Sequence, residues 1–358
     1  MVEWIETLLA CRRRNEAAVL VTVASTRGSA PRAAGTRMIV TAGRQDGTIG
    51  GGHLEWQAVG IARELLAGDD VGTLRRFPLG ASLGQCCGGL VNLMFEAVLP
   101  AASQSPWLDE VASHLAADRP CALVSGAGRP AASGSMVVTA EAASGTLGDA
   151  PSDAGASAIA REMLASAATT RLLALVPDGP LFLFDALRPP PVEIILFGAG
   201  HVGRSLVRIL AGLPCRVTWV DERAESFPAV SESNVRIEVS DTPVAEVAAA
   251  RAGSFFLVMT HSHPLDQELT EAILRRGDFS YFGLIGSLTK RRQFERRLAA
   301  RGVSHAMLRR MTCPIGISGI EGKEPTAIAV AVAAQLLRAM SAQARAAQPE
   351  PAHSVARR

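Results

Sequence analysis

Gly198-Ala199-Gly200-His201-Val202-Gly203 is the stretch that most limits what this chain can fold into. It is a G-x-G-x-x-G. It follows the apolar run "VEIILF" and opens the helical pattern "HVGRSLVRIL". A continuous apolar strand is what a parallel sheet covered on both faces requires. The next strand, "CRVTWVD", ends at Asp221, close to the spacing at which a carboxylate reads a ribose. Glycines let a ligand phosphate approach the backbone, and a helix N-terminus offers free N–H groups and a partial positive charge. A Rossmann-like fold is therefore expected, with Gly198, Gly200, His201, Gly203 and Asp221 at its ligand loop. Dinucleotide binding does not follow, because the fold also serves other phosphorylated ligands. Arg223 has two expected partners, a ligand phosphate or a surface acid, and the second is commoner.

Strand and helix patterns keep alternating downstream. "VRIEV", "SFFLVMT" and "FSYFGLIG" read as strands, and "PLDQELTEAILRRG" as a helix with Pro264 in its first turn and Gly277 at its end. Ligands bind at the carboxyl ends of parallel strands. That rule places "THSHPLD" near the glycine loop. His261, His263 and Asp266 are an incomplete metal set, so helix capping by Ser262 or Asp266 is the favoured reading. Lys290 and Arg291 follow the fifth strand, where they can clamp an anion. "CPIGISGIEGKEP" carries Cys313 and Lys323 and is a second candidate ligand loop, with a structural turn as the alternative. The helix "EPTAIAVAVAAQLLRAM" is apolar nearly all round and is expected to be buried.

The N-terminal part has a different rhythm, of short strands separated by glycine-rich turns, and reads as α+β. The fold class is thus α/β, with an N-terminal α+β domain followed by a C-terminal Rossmann-like domain built on a parallel sheet. "RPPPVE" is the best linker, because three consecutive prolines cannot join a helix or a central strand. The expected boundaries are 1–187 for the first domain, 188–192 for the linker and 193–340 for the second. A polar tail at 341–358 is expected to be disordered. The Ala/Gly/Ser/Asp-rich region 140–160 is expected to be a mobile loop.

"GQCCGG" in the first domain sets Cys86 and Cys87 between glycines, with Gly88 and Gly89 following. A disulfide between adjacent cysteines closes a strained eight-membered ring, which argues against a redox pair. A ligand-facing turn fits the glycines better. The six cysteines include no C-x-x-C, and "MVEWIETLLACRRRNEA" reads as an amphipathic helix rather than a signal peptide. Reduced thiols and a cytoplasmic location are the expectation. No uninterrupted apolar run approaches about 18 residues, so no membrane span is expected. A net charge of +2 gives no general attraction to nucleic acid. The arginine clusters at 11–14 and 290–302 read as solvated helix faces, with an anionic ligand or an acidic partner protein as the alternative.

Taken together, "STRGSAPRAAGTRMIV", "GTIGGGHLE", "GQCCGG", "FGAGHVG", "MTHSHPLD", "GLIGSLTKRRQF" and "CPIGISGIEGKEPTAIAVAVAAQLL" resemble the xanthine dehydrogenase accessory proteins, the XdhC/CoxI family. The resemblance covers most of residues 1–340 in order. It implies a non-enzymatic chaperone. Such a protein binds molybdenum cofactor in the cytoplasm and stays near a cysteine desulfurase during sulfuration. It then helps insert the cofactor into the xanthine dehydrogenase apoenzyme. The resemblance also makes a homo-oligomer plausible. A terminal phosphate suits the glycine loop, and sulfur ligands suit a soft metal centre. On this reading Cys86 is the first choice for a thiol near the molybdenum. Cys87 then points the other way, since neighbouring side chains in an extended segment face opposite sides. The competing reading is an NAD(P)-dependent oxidoreductase, resting on the glycine fingerprint and Asp221. Its weakness is the lack of a convincing proton donor beyond His261 and His263.

Overall fold

The computed structural model of the protein describes residues 3–68, 72–79, 88–100, 105–127, 134–189, 192–229, 232 and 234–346. The chain divides into two compact units, Met1–Pro189 and Pro190–Arg358.

The first unit repeats one pattern twice. The first copy runs α1 (Glu3–Arg13), β1 (Ala18–Arg27), β2 (Arg37–Thr41), β3 (Gln45–Gly47), α2 (Gly52–Ala67), β4 (Gly72–Pro78) and β5 (Leu90–Val98). The second runs α3 (Trp107–Ala116), β6 (Cys121–Gly126), β7 (Ser135–Val138), β8 (Ala143–Gly145), α4 (Ala150–Ala165), β9 (Thr170–Ala174) and β10 (Leu181–Leu187). The two antiparallel sheets have matching orders, β3-β2-β1-β5-β4 and β8-β7-β6-β10-β9. The match extends to side chains. After β3, Glu55 accepts the Thr48 hydroxyl and the backbone N–H groups of Ile49 and Gly51. After β8, Asp153 accepts the Thr146 hydroxyl and the Leu147 N–H. In each copy a carboxylate one turn into the helix orders the glycine loop that starts it.

Apolar clusters on the faces of the two sheets hold this unit. Leu54, Ala58 and Ala62 of α2 pack on the first sheet, and Ala156, Ala160 and Met163 of α4 pack on the second. Ile5 and Leu8 of α1 and Leu108, Val111 and Leu115 of α3 join Leu20, Ile39, Leu123 and Val137 in a shared core. Burial of aliphatic side chains on this scale is the main stabilising term.

The 140–160 region is corrected by the structure. It contains β8 and most of α4 rather than a mobile loop. Asp149 caps α4 by accepting the Ser152 N–H, and Pro151 occupies its first turn. The alanines that resembled turn filler are strong helix formers, and small side chains let α4 lie close to its sheet. The expected linker also changes. Arg188 is tied into the first unit by donating to the carbonyls of Met163, Ser166 and Ala168, and Val192 already starts a strand.

The second unit is a parallel sheet with helices on both faces. It comprises β11 (Val192–Phe197), α5 (His201–Leu210), β12 (Cys215–Asp221), β13 (Val235–Val239), α6 (Pro243–Ala249), β14 (Phe255–Val258), α7 (His263–Arg276), β15 (Tyr281–Leu284), α8 (Leu288–Ala300), α9 (His305–Leu308), β16 (Met311–Thr312) and α10 (Pro325–Ala346). The order is β13-β12-β11-β14-β15-β16, and every adjacent pair is parallel. This is the doubly wound order with its switch point between β11 and β14.

Alternation along each strand feeds two cores. Ile194, Leu196, Val217, Trp219 and Leu257 face α5 and α10. Ile195, Phe197, Val220, Phe256 and Val258 face the side carrying α6, α7 and α8. α10 departs from expectation twice. It buries one face, through Ala329, Val332, Ala333 and Leu336, while Val330 and Leu337 are exposed. It also continues to Ala346, because the Ala-rich start of the expected tail supports helix. By length and composition alone, Pro325–Arg345 is apolar enough to cross a bilayer, but the buried face is part of this unit's core.

Candidate functional site

The three motif glycines have different jobs. Gly198 has φ +116, and a Cβ there would lie 2.4 Å from the Met259 carbonyl oxygen. A Cβ on Gly203 would lie 2.2 Å from the Gly198 carbonyl oxygen, so it sets how closely α5 approaches the loop. Both positions demand glycine for packing. Around Gly200 the Cβ position meets nothing within 4 Å. Gly200 caps α5 without any side-chain hydrogen bond, and His201 follows as an exposed first helical residue. Gly200 is thus the motif glycine that opens onto free space.

The loop around these glycines is firmly held. Trp219 donates its indole N–H to the Gly198 carbonyl at 3.1 Å. Arg204 donates to the carbonyls of Ala199 and Ser226 at 3.1 and 2.9 Å. Asp221 is buried and accepts the Ala199 N–H at 2.7 Å. It also accepts three bonds from Arg223: the backbone N–H at 3.0 Å, Nε at 2.9 Å and Nη2 at 3.0 Å. Burial pushes the Asp221 carboxyl up, but the bonds from Arg223 and Ala199 outweigh it and hold the group below the usual carboxylate range. Arg223 therefore pairs with Asp221, two residues away.

A crevice at the strand ends is lined by Gly198, Asp221, Glu222, Pro243, Thr260 and His261. His261 is exposed, with Nε2 3.8 Å from Glu222 Oε1. Ser262 caps α7 by accepting the Leu265 N–H, and His263 is the helix's exposed first residue. Asp266 is engaged by Thr260 and Lys290. Its Oδ1 accepts the Thr260 N–H and hydroxyl, and its Oδ2 lies 2.6 Å from Lys290 Nζ. Among the described residues, no group of three or more His, Cys, Asp or Glu is placed to hold a metal ion.

The expected anion clamp has its charges already engaged. Lys290 is paired with Asp266 and also donates to the Ile285 carbonyl. Arg291 pairs with Glu295 at 2.7 Å and donates to the Cys313 carbonyl at 3.2 Å. Cys313 is buried. Burial pushes its thiol up, and the neighbouring Lys290 and Arg291 offset this only in part. The structure thus groups Gly198, Gly200, His201, Gly203, Asp221, Arg223 and His261 at the ends of β11, β12 and β14. Lys290, Arg291 and Cys313 form a second cluster beyond β15.

In the first unit, a Cβ on Gly89 would lie 2.1 Å from the Ser29 carbonyl oxygen, while Gly88 faces open space. Cys86 and Cys87 lie outside the described residues. Sequence reasoning missed Trp219 and Arg204 as loop anchors. It also missed the paired "GTIG" and "GTLG" signals of the repeat, each followed by an acid at the same offset.

Residues 11–78 match the XdhC and CoxI family, and residues 194–336 match the XdhC Rossmann domain. A solved structure from Bacillus halodurans, called a xanthine dehydrogenase, superposes with a TM-score of 0.72 at 21% identity, covering 96% of this chain and 98% of that one. At that identity the likeness speaks for the fold. Uncharacterized protein YqeB of Escherichia coli (strain K12) is 25% identical over 178 residues, which is 49% of this chain and 32% of YqeB. The aligned segment thus spans about a third of that relative's length. Two matches, one in each unit, show that this chain belongs to the XdhC and CoxI family.

Proposed function

We propose that this protein serves xanthine dehydrogenase maturation as a non-enzymatic carrier of molybdenum cofactor. It holds the cofactor while a cysteine desulfurase supplies sulfur, and then passes it to the apoenzyme in the cytoplasm. Family membership supports the maturation role. The observation that carries the binding site is Gly200: an open, uncapped start to α5 at the switch point of a doubly wound sheet. A phosphate ester fits such a place, because α5 offers unpaired N–H groups and a partial positive charge there. The pterin's phosphate end is assigned to Gly198, Gly200, His201 and Gly203, with His261 at the rim. Bound cofactor would supply the soft metal centre, which a thiolate such as Cys86 suits.

The test is cofactor content. Protein co-produced with molybdopterin biosynthesis is expected to release a fluorescent pterin on oxidation, with molybdenum in matching amount. Gly200→Val is expected to lower that load without loss of folding, since its side chain enters free space at an ordinary φ. Protein lacking both pterin and molybdenum would overturn the reading.

A further inference from the structure

A Rossmann fold with an acid at the end of its second strand implies NAD(P). Here the residues do not fit that ligand. A carboxylate offers about four lone-pair sites. Asp221 uses all of them: Ala199 N–H and Arg223 Nη2 reach Oδ2, and Arg223 N–H and Nε reach Oδ1. A ribose hydroxyl would find no acceptor there. The Ala199 N–H, inside the glycine loop, is also consumed by Asp221 and is not available to a phosphate. A nucleotide 2′-phosphate fares no better. It would meet a buried carboxylate whose arginine is already committed to it.

We propose that Asp221 and Arg223 form a closed latch. It fixes the Gly198–Gly200 loop and removes the ribose-reading acceptor, so this Rossmann domain does not take a nicotinamide dinucleotide. The latch is a positioning and exclusion device. Arg223 supplies both the Nε–Nη2 fork and a backbone N–H, a geometry that lysine cannot reproduce. The inference stands apart from the molybdenum cofactor reading and holds or fails without it.

The experiment is calorimetric titration of the full chain with NADH and with NADPH. No saturable heat is expected up to about 1 mM, the upper end of ordinary cofactor and substrate affinities. Arg223→Ala removes the Nε and Nη2 bonds, which opens one acceptor site on each of Oδ1 and Oδ2, and is expected to gain NADH binding by roughly tenfold or more, the effect of one charge-assisted hydrogen bond. Arg223→Lys is expected to gain in the same direction, and it decides the matter should the alanine variant not fold. Hydrogen exchange gives a second readout: Asp221→Ala removes the acceptor and is expected to speed exchange at the Ala199 amide. Saturable binding of either nucleotide to the wild type would overturn the proposal. So would the absence of any gain in a folded Arg223 variant, or unchanged Ala199 exchange in Asp221→Ala.

Discussion

Lys290 Nζ lies 2.6 Å from Asp266 Oδ2, with only 10% and 2% of the two side chains exposed. The pair joins the start of α8 to the first turn of α7. Asp266 in turn holds Thr260 at the end of β14, on the rim of the crevice. A bond between two helices thus sets the position of a loop beside the glycine site.

Breaking this pair from one side leaves a buried charge. Lys290→Met is expected to destabilise the protein by about 3 to 5 kcal/mol in urea unfolding. Lys290→Met combined with Asp266→Asn should cost less than the sum of the single changes, because the residual buried charge is gone. Strict additivity would mean that the two groups are not coupled.

The motif glycines should separate by mutation. Gly198→Ala and Gly203→Ala push a methyl group into backbone carbonyls, and the first also forces a left-handed φ. Each is expected to cost more than about 1 kcal/mol, while Gly200→Ala should fall within about 0.5 kcal/mol of wild type. Equal losses at all three positions would contradict the distinct roles drawn from the Cβ environments.

Asp221 should make stability depend on acid. Its pKa is lowered in the folded state, so its contribution is fully present above the unfolded value and is lost as pH falls through the folded value. Wild-type stability is expected to decline more steeply than that of Asp221→Asn below about pH 4, the ordinary aspartate range. Parallel curves for the two proteins in acid would remove this assignment.

The buried thiols should be unreactive in the native protein. Burial pushes Cys121 up to about 12, with Glu110 and Asp185 adding to it, and Cys215 up to about 11. Since the thiolate is the nucleophile, iodoacetamide at neutral pH is expected to label neither until the protein unfolds. Mass spectrometry of natively alkylated protein reads this directly. Rapid labelling of Cys121 would mean that the core of the first unit opens.

The two carboxylates of the repeat should behave alike. Glu55→Ala frees a threonine hydroxyl and two backbone N–H groups at the start of a helix, and Asp153→Ala frees a threonine hydroxyl and one backbone N–H. A loss of about 1 to 2 kcal/mol is expected for each, the scale of a lost helix-start carboxylate contact. A loss confined to one of them, measured by thermal unfolding, would show that the two loops are not equivalent.

By itself the sequence determined the Rossmann unit. An apolar strand, a glycine turn and an amphipathic helix are local patterns, and their alternation leaves few sheet topologies to choose from. It also located the glycine loop and the acid at the end of the second strand, because chain spacing fixes both. Tertiary structure alone decided how the charges pair. Asp221 faces Arg223 and the Ala199 N–H, and Lys290 faces Asp266 from another helix. Residue type cannot choose among candidate partners, since the choice depends on which groups folding brings within hydrogen-bond reach and out of water. The repeat in the first unit was hidden for a related reason. Its copies share a pairing scheme and a buried pattern, which many different apolar side chains satisfy, and the short GTIG and GTLG signals become legible as a duplication once the matched sheet orders set them side by side.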